Sequence, residues 1–315
     1  GSIPFRCSWV NYTPAVTYEI TEYNFVMSRL EPKPRSIDEG IDIMKRQIPG
    51  SQGKLEAAKN VIKRCGFDDV LLIERFPVVT AVFGYTRVSF EPESRYDERV
   101  IKTTIWPFPK KNGKFPIFVD RSGTEALMFK LDFKAVAEWL IKNDIPVNAE
   151  SDNEEDLKLW FLSNVGSFSR FERLTIDDGA TYYVFNLLHS LSHVLISASA
   201  RLSGFEAIGI SEYIFPRELS FIIYSNKTDF TIGGFHTLFE QYLPELFTSA
   251  VTNPEFRTCV YDPVCRDNGG ACHACLFLPE VSCRYFNRNL SRVFLFGGAV
   301  NGREIVGFFP ADIGC

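Results

Sequence analysis

Five of the eight cysteines crowd into 25 positions: Cys259, Cys265, Cys272, Cys275 and Cys283. Thiols gathered this closely have two chemical uses, a disulfide knot or a set of thiolates around a metal ion. The knot requires an oxidising compartment, and nothing in the sequence argues for secretion. Cys272 and Cys275 form a C-x-x-C pair, whose gap lets both sulfurs point into one knuckle, and Asn268-Gly269-Gly270 supplies the tight turn before it. Six residues separate Cys265 from the pair and seven separate the pair from Cys283, so both can fold back onto the same ion. The spacing therefore predicts one structural zinc ion held by Cys265, Cys272, Cys275 and Cys283. Cys259 is left as the spare, and His273 is a substitute donor expected to point away. A four-sulfur site keeps no open coordination position, so it folds the chain around it and does not activate water.

His189 and His193 stand at i and i+4, a spacing that can chelate a metal when both lie on one helix face. The metalloprotease pattern H-E-x-x-H uses it, but Ser190 occupies the place of the glutamate base, and the hydrolytic reading loses its mechanism without that base. The expectation is a pair of satisfied core or interface histidines. The alternative is a metal-dependent hydrolase that uses His189 and His193, with Glu212 as a third ligand. Neither a G-x-x-x-x-G-K-[ST] phosphate loop nor a G-x-S-x-G nucleophile elbow occurs. Cys7 and Cys65 carry no sequence sign of a paired histidine. Lys110, Lys111 and Lys114 crowd an Asn112-Gly113 turn, with Trp106 and Phe108 close by. They read either as a solvated hairpin tip or as a finger that contacts phosphates and stacks on bases.

The elements that must position these residues follow from periodicity and punctuation. Residues 54–65 put Leu55, Ala58, Val61 and Ile62 at helical spacing and stop before Gly66. Residues 70–88 are β-branched and aromatic and read as two strands with a bend at Pro77; residues 105–119 read as a hairpin. A strand at 126–131 and helices at 133–142 and 157–165 follow. The run 181–203 is so apolar that its helix must be buried. A strand at 220–225 leads through Gly233-Gly234 into a helix at 236–250, with Asp229 and Thr231 placed to line a site, and Gly297-Gly298 open a loose tail. The fold class expected is α+β, a mixed sheet with helices and a C-terminal four-cysteine zinc knuckle. The polar, acidic stretch 148–156 divides it into residues 3–150 and 151–315. Net charge runs from +2 over residues 1–150 to −7 over 151–250, and is −5 overall. That balance argues against a chain that coats nucleic acid non-specifically and suggests that the acidic middle faces a protein or solvent. No apolar run approaches the ~20 residues of a membrane span.

The order of these pieces is more specific than any one of them. His189-Ser190-Leu191-Ser192-His193 is followed by Ser211-Glu212-Tyr213-Ile214, then Ile222-Ile223-Tyr224-Ser225, Ile232-Gly233-Gly234-Phe235, Asp262-Pro263-Val264-Cys265, Ala271-Cys272-His273-Ala274-Cys275-Leu276 and Cys283. This series resembles the MrfA-like zinc-binding domain family. Gly123-Thr124-Glu125-Ala126-Leu127-Met128-Phe129 and residues 83–87 upstream resemble the DrmB-like proteins of DISARM-type phage defence. The resemblance covers roughly residues 70–315 and assigns the family's zinc ligands to Cys265, Cys272, Cys275 and Cys283. Ser291-Arg292 departs from the family's Asp-Arg. The resemblance implies a non-catalytic accessory subunit in the bacterial cytoplasm, with a helicase partner, DNA as a second partner and no small-molecule substrate. A scaffold that binds only protein is the alternative class.

Overall fold

A computed structural model of the protein describes residues 33–82, 84–85, 93–96, 99–102, 106–150, 152–166, 173–204, 206–226, 234–279, 282–300 and 302–309. Short strand β1 (Lys33–Arg35) is followed by helices α1 (Ile37–Gln47) and α2 (Gly53–Arg64), the long strand β2 (Phe67–Val82), and the small strands β3 (Gly84–Tyr85), β4 (Glu93–Tyr96), β5 (Arg99–Lys102) and β6 (Trp106–Pro107). The long strand β7 (Phe118–Leu131) leads into α3 (Phe133–Lys142), α4 (Glu154–Asn164) and α5 (Ala180–Ser203). Strands β8 (Ile210–Phe215) and β9 (Ser220–Ser225) precede α6 (Gly234–Gln241), α7 (Leu243–Thr252), α8 (Pro254–Arg257) and α9 (Val264–Asp267). A last turn of helix, α10 (Val293–Phe296), and the hairpin β10 (Gly298–Val300) and β11 (Arg303–Ile305) complete the described chain.

The chain divides into two compact units, one of Lys33–Glu74 and Thr124–Cys315, the other with its described residues in Arg75–Gly123. In the larger unit a sheet of order β1-β2-β7-β9-β8 is antiparallel at β1–β2, β7–β9 and β8–β9. The α+β class is as expected, but the stretch 148–156 lies inside this unit, where it only connects α3 to α4. Lys134 in α3 bridges to Asp152 at 2.6 Å across that connection. The crossing between units falls instead on β2 and β7. There β2 carries the left-handed residue Arg75 (φ 58°), so 67–82 is one strand with a local irregularity rather than two strands meeting at Pro77.

Helix α5 is the centre of the larger unit. Every residue from 181 to 196 is buried, and the helix contacts β8, β9, α6 and α7. Beside it, Phe129 of β7 stacks on Phe221 of β9 at 5.1 Å and meets Phe67 and Phe247 at 6.3 and 6.0 Å. The single helix expected at 236–250 is two, because Pro244 cannot donate to the preceding turn and starts α7 afresh. The first turn of α6 is occupied by protein. The amides of Phe235 and His236 donate to the Glu125 carboxylate of β7, so that helix end has its anion already. Asp229, Thr231 and Gly233 lie outside the described residues. The stretch after Gly297 is anchored: Asn143 accepts from the Val306 amide at 2.8 Å, and Trp139 donates its indole N–H to the Val306 carbonyl at 2.6 Å.

In the smaller unit, the turn at 112–113 forms as expected. Asn112 and Gly113 both have positive φ (52° and 77°), and Lys111 and Lys114 exchange backbone hydrogen bonds across them.

Truncating the aromatic stack leaves a cavity between two strands and α7. Phe129→Ala should lower unfolding free energy by about 3–5 kcal/mol, read as a fall in the urea midpoint at unchanged slope. A midpoint unmoved within error would show that the stack does not hold the sheet.

Candidate functional site

Two groups of metal-binding side chains converge in the larger unit. The first is Cys259, Cys265, Cys272 and Cys275. The sulfurs of Cys259 and Cys272 lie 3.5 Å apart, those of Cys265 and Cys275 3.8 Å, and those of Cys272 and Cys275 3.7 Å. Local backbone geometry builds this arrangement. The amides of Cys275, Leu276 and Phe277 all turn back to the Cys272 carbonyl, which forms the expected knuckle, while α9 carries Cys265. Gly270 (φ 74°) must be glycine, because a Cβ there would meet the Ser291 hydroxyl at 2.7 Å.

A buried guanidinium serves this group. Arg292 donates to the Cys265 and Cys275 sulfurs at 3.2 and 3.5 Å and is paired with Asp262, whose other oxygen accepts from the Cys259 amide. Burial pushes the Cys265 and Cys275 thiols up. For Cys272, burial is outweighed by the Ala274 amide and the neighbouring sulfurs, and its pKa falls. Four sulfurs within reach of one point, with a cation behind them, are suited to a thiophilic dication.

The second group is His189, His193, Glu212 and Cys283, all fully or almost fully buried. His189 and His193 project from one face of α5 and Glu212 from β8. Glu212 Oε1 lies 3.1 Å from His189 Nε2 and 3.4 Å from His193 Nε2, and His189 Nε2 lies 3.2 Å from Cys283 Sγ. The Ser192 hydroxyl donates to Glu212 Oε2, the amides of Tyr285 and Asn287 donate to Cys283 Sγ, and His193 Nδ1 is 2.8 Å from the Leu276 carbonyl. Burial alone would raise the Glu212 carboxyl, but the two imidazoles outweigh it and hold it well below the usual carboxylate range. Burial pulls His189 down, and burial followed by the Glu212 charge pushes the Cys283 thiol up.

The fold thus brings together three of the four expected zinc ligands and separates the fourth. Cys265, Cys272 and Cys275 meet Cys259, the residue the spacing left over, while Cys283 turns the other way to meet the histidines. The reason lies in two contacts: Leu276 is held against His193, and Asn287 clasps Leu278 through both its backbone groups. Cys259 is drawn in by the Asp262–Arg292 pair. A sequence sign existed in Asp262, midway between two cysteines, and in Glu212, already a candidate partner of the histidines.

His273 points away and packs on Phe277 at 5.1 Å. Ser190 accepts from the Ser291 amide and acts as a structural hydroxyl. Cys65 is buried under α2, in neither group; Cys7 and Cys315 lie outside the described residues. Lys110, Lys111 and Lys114 are exposed around the Asn112-Gly113 turn of the smaller unit, where Trp106, Phe115 and Phe118 are exposed as well; of the hairpin expected over 105–119 only this turn and its Lys111–Lys114 bridge form, because β6 pairs with β3 instead. Among the described residues no helix is long and apolar enough to cross a membrane.

No family model matches the chain. Among curated proteins it is similar to a protein described as DISARM protein DrmB from Bacillus paralicheniformis, at 26% identity over 244 residues, which covers 73% of this chain and 41% of that protein. The chain therefore spans about two-fifths of the length of the curated relative it matches.

Proposed function

We propose that this chain is a non-catalytic accessory subunit of a helicase-driven bacterial anti-phage defence complex. It is stabilised by a structural zinc ion, works in the cytoplasm, docks on the helicase and assists its hold on DNA. The observation that carries the zinc is the sulfur geometry. A tetrahedron with Zn–S bonds of about 2.3 Å has edges of about 3.8 Å. The three sulfur–sulfur distances here are 3.5, 3.7 and 3.8 Å. Four thiolates around a dication leave a net charge of about −2 by formal count, and Arg292 offsets part of it. The ligand set on this reading is Cys259, Cys265, Cys272 and Cys275.

Similarity to a protein named for the DISARM system supports the defence role and, through it, a partnership with other proteins of that system. Val260, Tyr261 and Val264 are largely exposed between and beside the first two cysteines, an apolar face of the kind a protein partner covers. The Asn112-Gly113 turn supports the DNA role, since the three lysines around it sit with an exposed tryptophan and two exposed phenylalanines. The net charge of −5 favours the second reading, a scaffold that binds protein alone. The hydrolase reading is disfavoured by the complete burial of His189, His193 and Glu212, which leaves a substrate no approach.

Two measurements test the proposal. Cys272→Ser should release the zinc of the four-cysteine site and lower the melting temperature, read by elemental analysis and calorimetry. A variant with unchanged zinc content would remove Cys272 from the ligand set. Fluorescence anisotropy of labelled single- and double-stranded DNA across a salt series should show binding that weakens steeply with salt. Changing Lys110, Lys111 and Lys114 together to Glu should flatten that slope by about 3 on a log–log plot, near 0.9 per lost duplex phosphate contact. If the wild-type chain shows no binding even at about 50 mM salt, the protein-only scaffold is the correct reading.

A further inference from the structure

We infer that the chain holds a second metal ion, a closed zinc site made by His189, His193, Glu212 and Cys283, which goes beyond the single zinc ion proposed above. The Leu276 carbonyl can only accept, so His193 Nδ1, 2.8 Å away, carries the proton. In a neutral ring Nε2 is then a bare lone pair. It faces Glu212 Oε1 at 3.4 Å, and both atoms are fully buried and have no hydrogen-bond partner. Two acceptors that face each other repel, and leaving both unsatisfied is expensive in a low-dielectric interior. A cation between them removes the conflict.

The other two donors point to the same place. His189 Nε2 is 3.1 Å from that Glu212 oxygen and 3.2 Å from Cys283 Sγ, and all four donor atoms lie within 4.8 Å of one another. A tetrahedron with metal–ligand bonds of about 2.0–2.3 Å has edges of about 3.3–3.8 Å. The distances of 3.1, 3.2 and 3.4 Å fall at or just below that range. Three of the four donors also have outer contacts of the kind that orient metal ligands. His193 is oriented by a backbone carbonyl, Glu212 Oε2 by Ser192, and the sulfur by the amides of Tyr285 and Asn287 at 3.4 and 3.3 Å.

Charge decides the type of ion. One carboxylate, one thiolate and two neutral imidazoles balance a dication to zero, which is the condition for complete burial. Mixed nitrogen, oxygen and sulfur donors at tetrahedral spacing select zinc over calcium or magnesium. With four protein donors and no solvent at any of them, the ion has a structural task. It ties α5 to β8 and to the loop that carries Cys283.

The test is zinc stoichiometry of the full 315-residue chain, grown with added zinc and purified without chelator, by native mass spectrometry and elemental analysis. The wild-type chain should carry two zinc ions, and its zinc X-ray absorption should show nitrogen or oxygen together with sulfur in the first shell. Glu212→Gln should lose one zinc and leave the sulfur-only spectrum of the other site, and Cys272→Ser should lose the other. A wild-type chain with one zinc in a pure sulfur shell, unchanged in Glu212→Gln, would overturn the second site and leave the first intact. A single zinc that survives Cys272→Ser but not Glu212→Gln would uphold this site and overturn the four-cysteine reading. Because the wild-type count and shell decide the matter, a variant that fails to fold does not shield the proposal.

Discussion

A helix buried around its whole circumference must satisfy its polar side chains from inside the protein, and helix α5 imposes that condition on everything packed against it. Residues 181–196 have no solvent-facing side, yet they include Asn186, His189, Ser190, Ser192 and His193. Asn186 is satisfied within the helix itself, whereas Ser190, Ser192 and His193 reach other elements. Asn186 turns to the Tyr182 carbonyl, Ser190 takes the Ser291 amide, Ser192 takes Glu212 of β8, and His193 takes the Leu276 carbonyl. An unpaired polar group here would cost about 1–3 kcal/mol, so these few contacts fix where the cysteine-rich segment lies. Leu276 directly follows Cys275, so the contact that orients His193 also places one edge of the sulfur knuckle.

The two clusters answer the same electrostatic problem in opposite ways. The sulfur cluster lies near the surface, with Cys272 and Cys275 partly exposed, and Arg292 donates to two of its sulfurs from behind. Arg292 is itself buried and needs Asp262, and Asp262 in turn receives the Cys259 amide. The histidine cluster has no arginine among its described contacts, and on the inference above its donor set would be neutral with a dication. That difference explains why one cluster tolerates the protein edge and the other sits at the centre.

Much of the fold was legible because local rules and tertiary packing agree. The helix at 54–65, the strand at 220–225 and the buried helix at 181–203 appear within a residue or so of their expected limits. The Asn112-Gly113 turn forms as its two positive φ angles require. Pro244 was legible too, yet the apolar run around it masked the break between α6 and α7. The domain division was not legible from composition: 148–156 is acidic because it is an exposed connector, whereas the units part at Arg75, inside a strand with no compositional change. The zinc ligands show the deeper limit. Spacing states which sulfurs can reach one ion, and both Cys259 and Cys283 could. The choice is made by the buried Asp262–Arg292 pair and the Leu276–His193 bond, whose partners are 30 and 83 residues apart in sequence.

That choice has a consequence at the surface. With Cys259 turned inward by its amide bond to Asp262 and Cys265 turned inward from α9, the residues between them have no room in the core. Val260, Tyr261 and Val264 are exposed for this reason, and they form an apolar strip with sulfur ligands at its edges. The Asp262–Arg292 pair and the backbone bonds from Asp262 to Cys259 and from Cys265 to Tyr261 hold 259–265 in this path. The same residues that gather the sulfurs therefore set the geometry of the face nearest to them. The loop that turns Cys259 and Cys265 inward turns Val260, Tyr261 and Val264 outward.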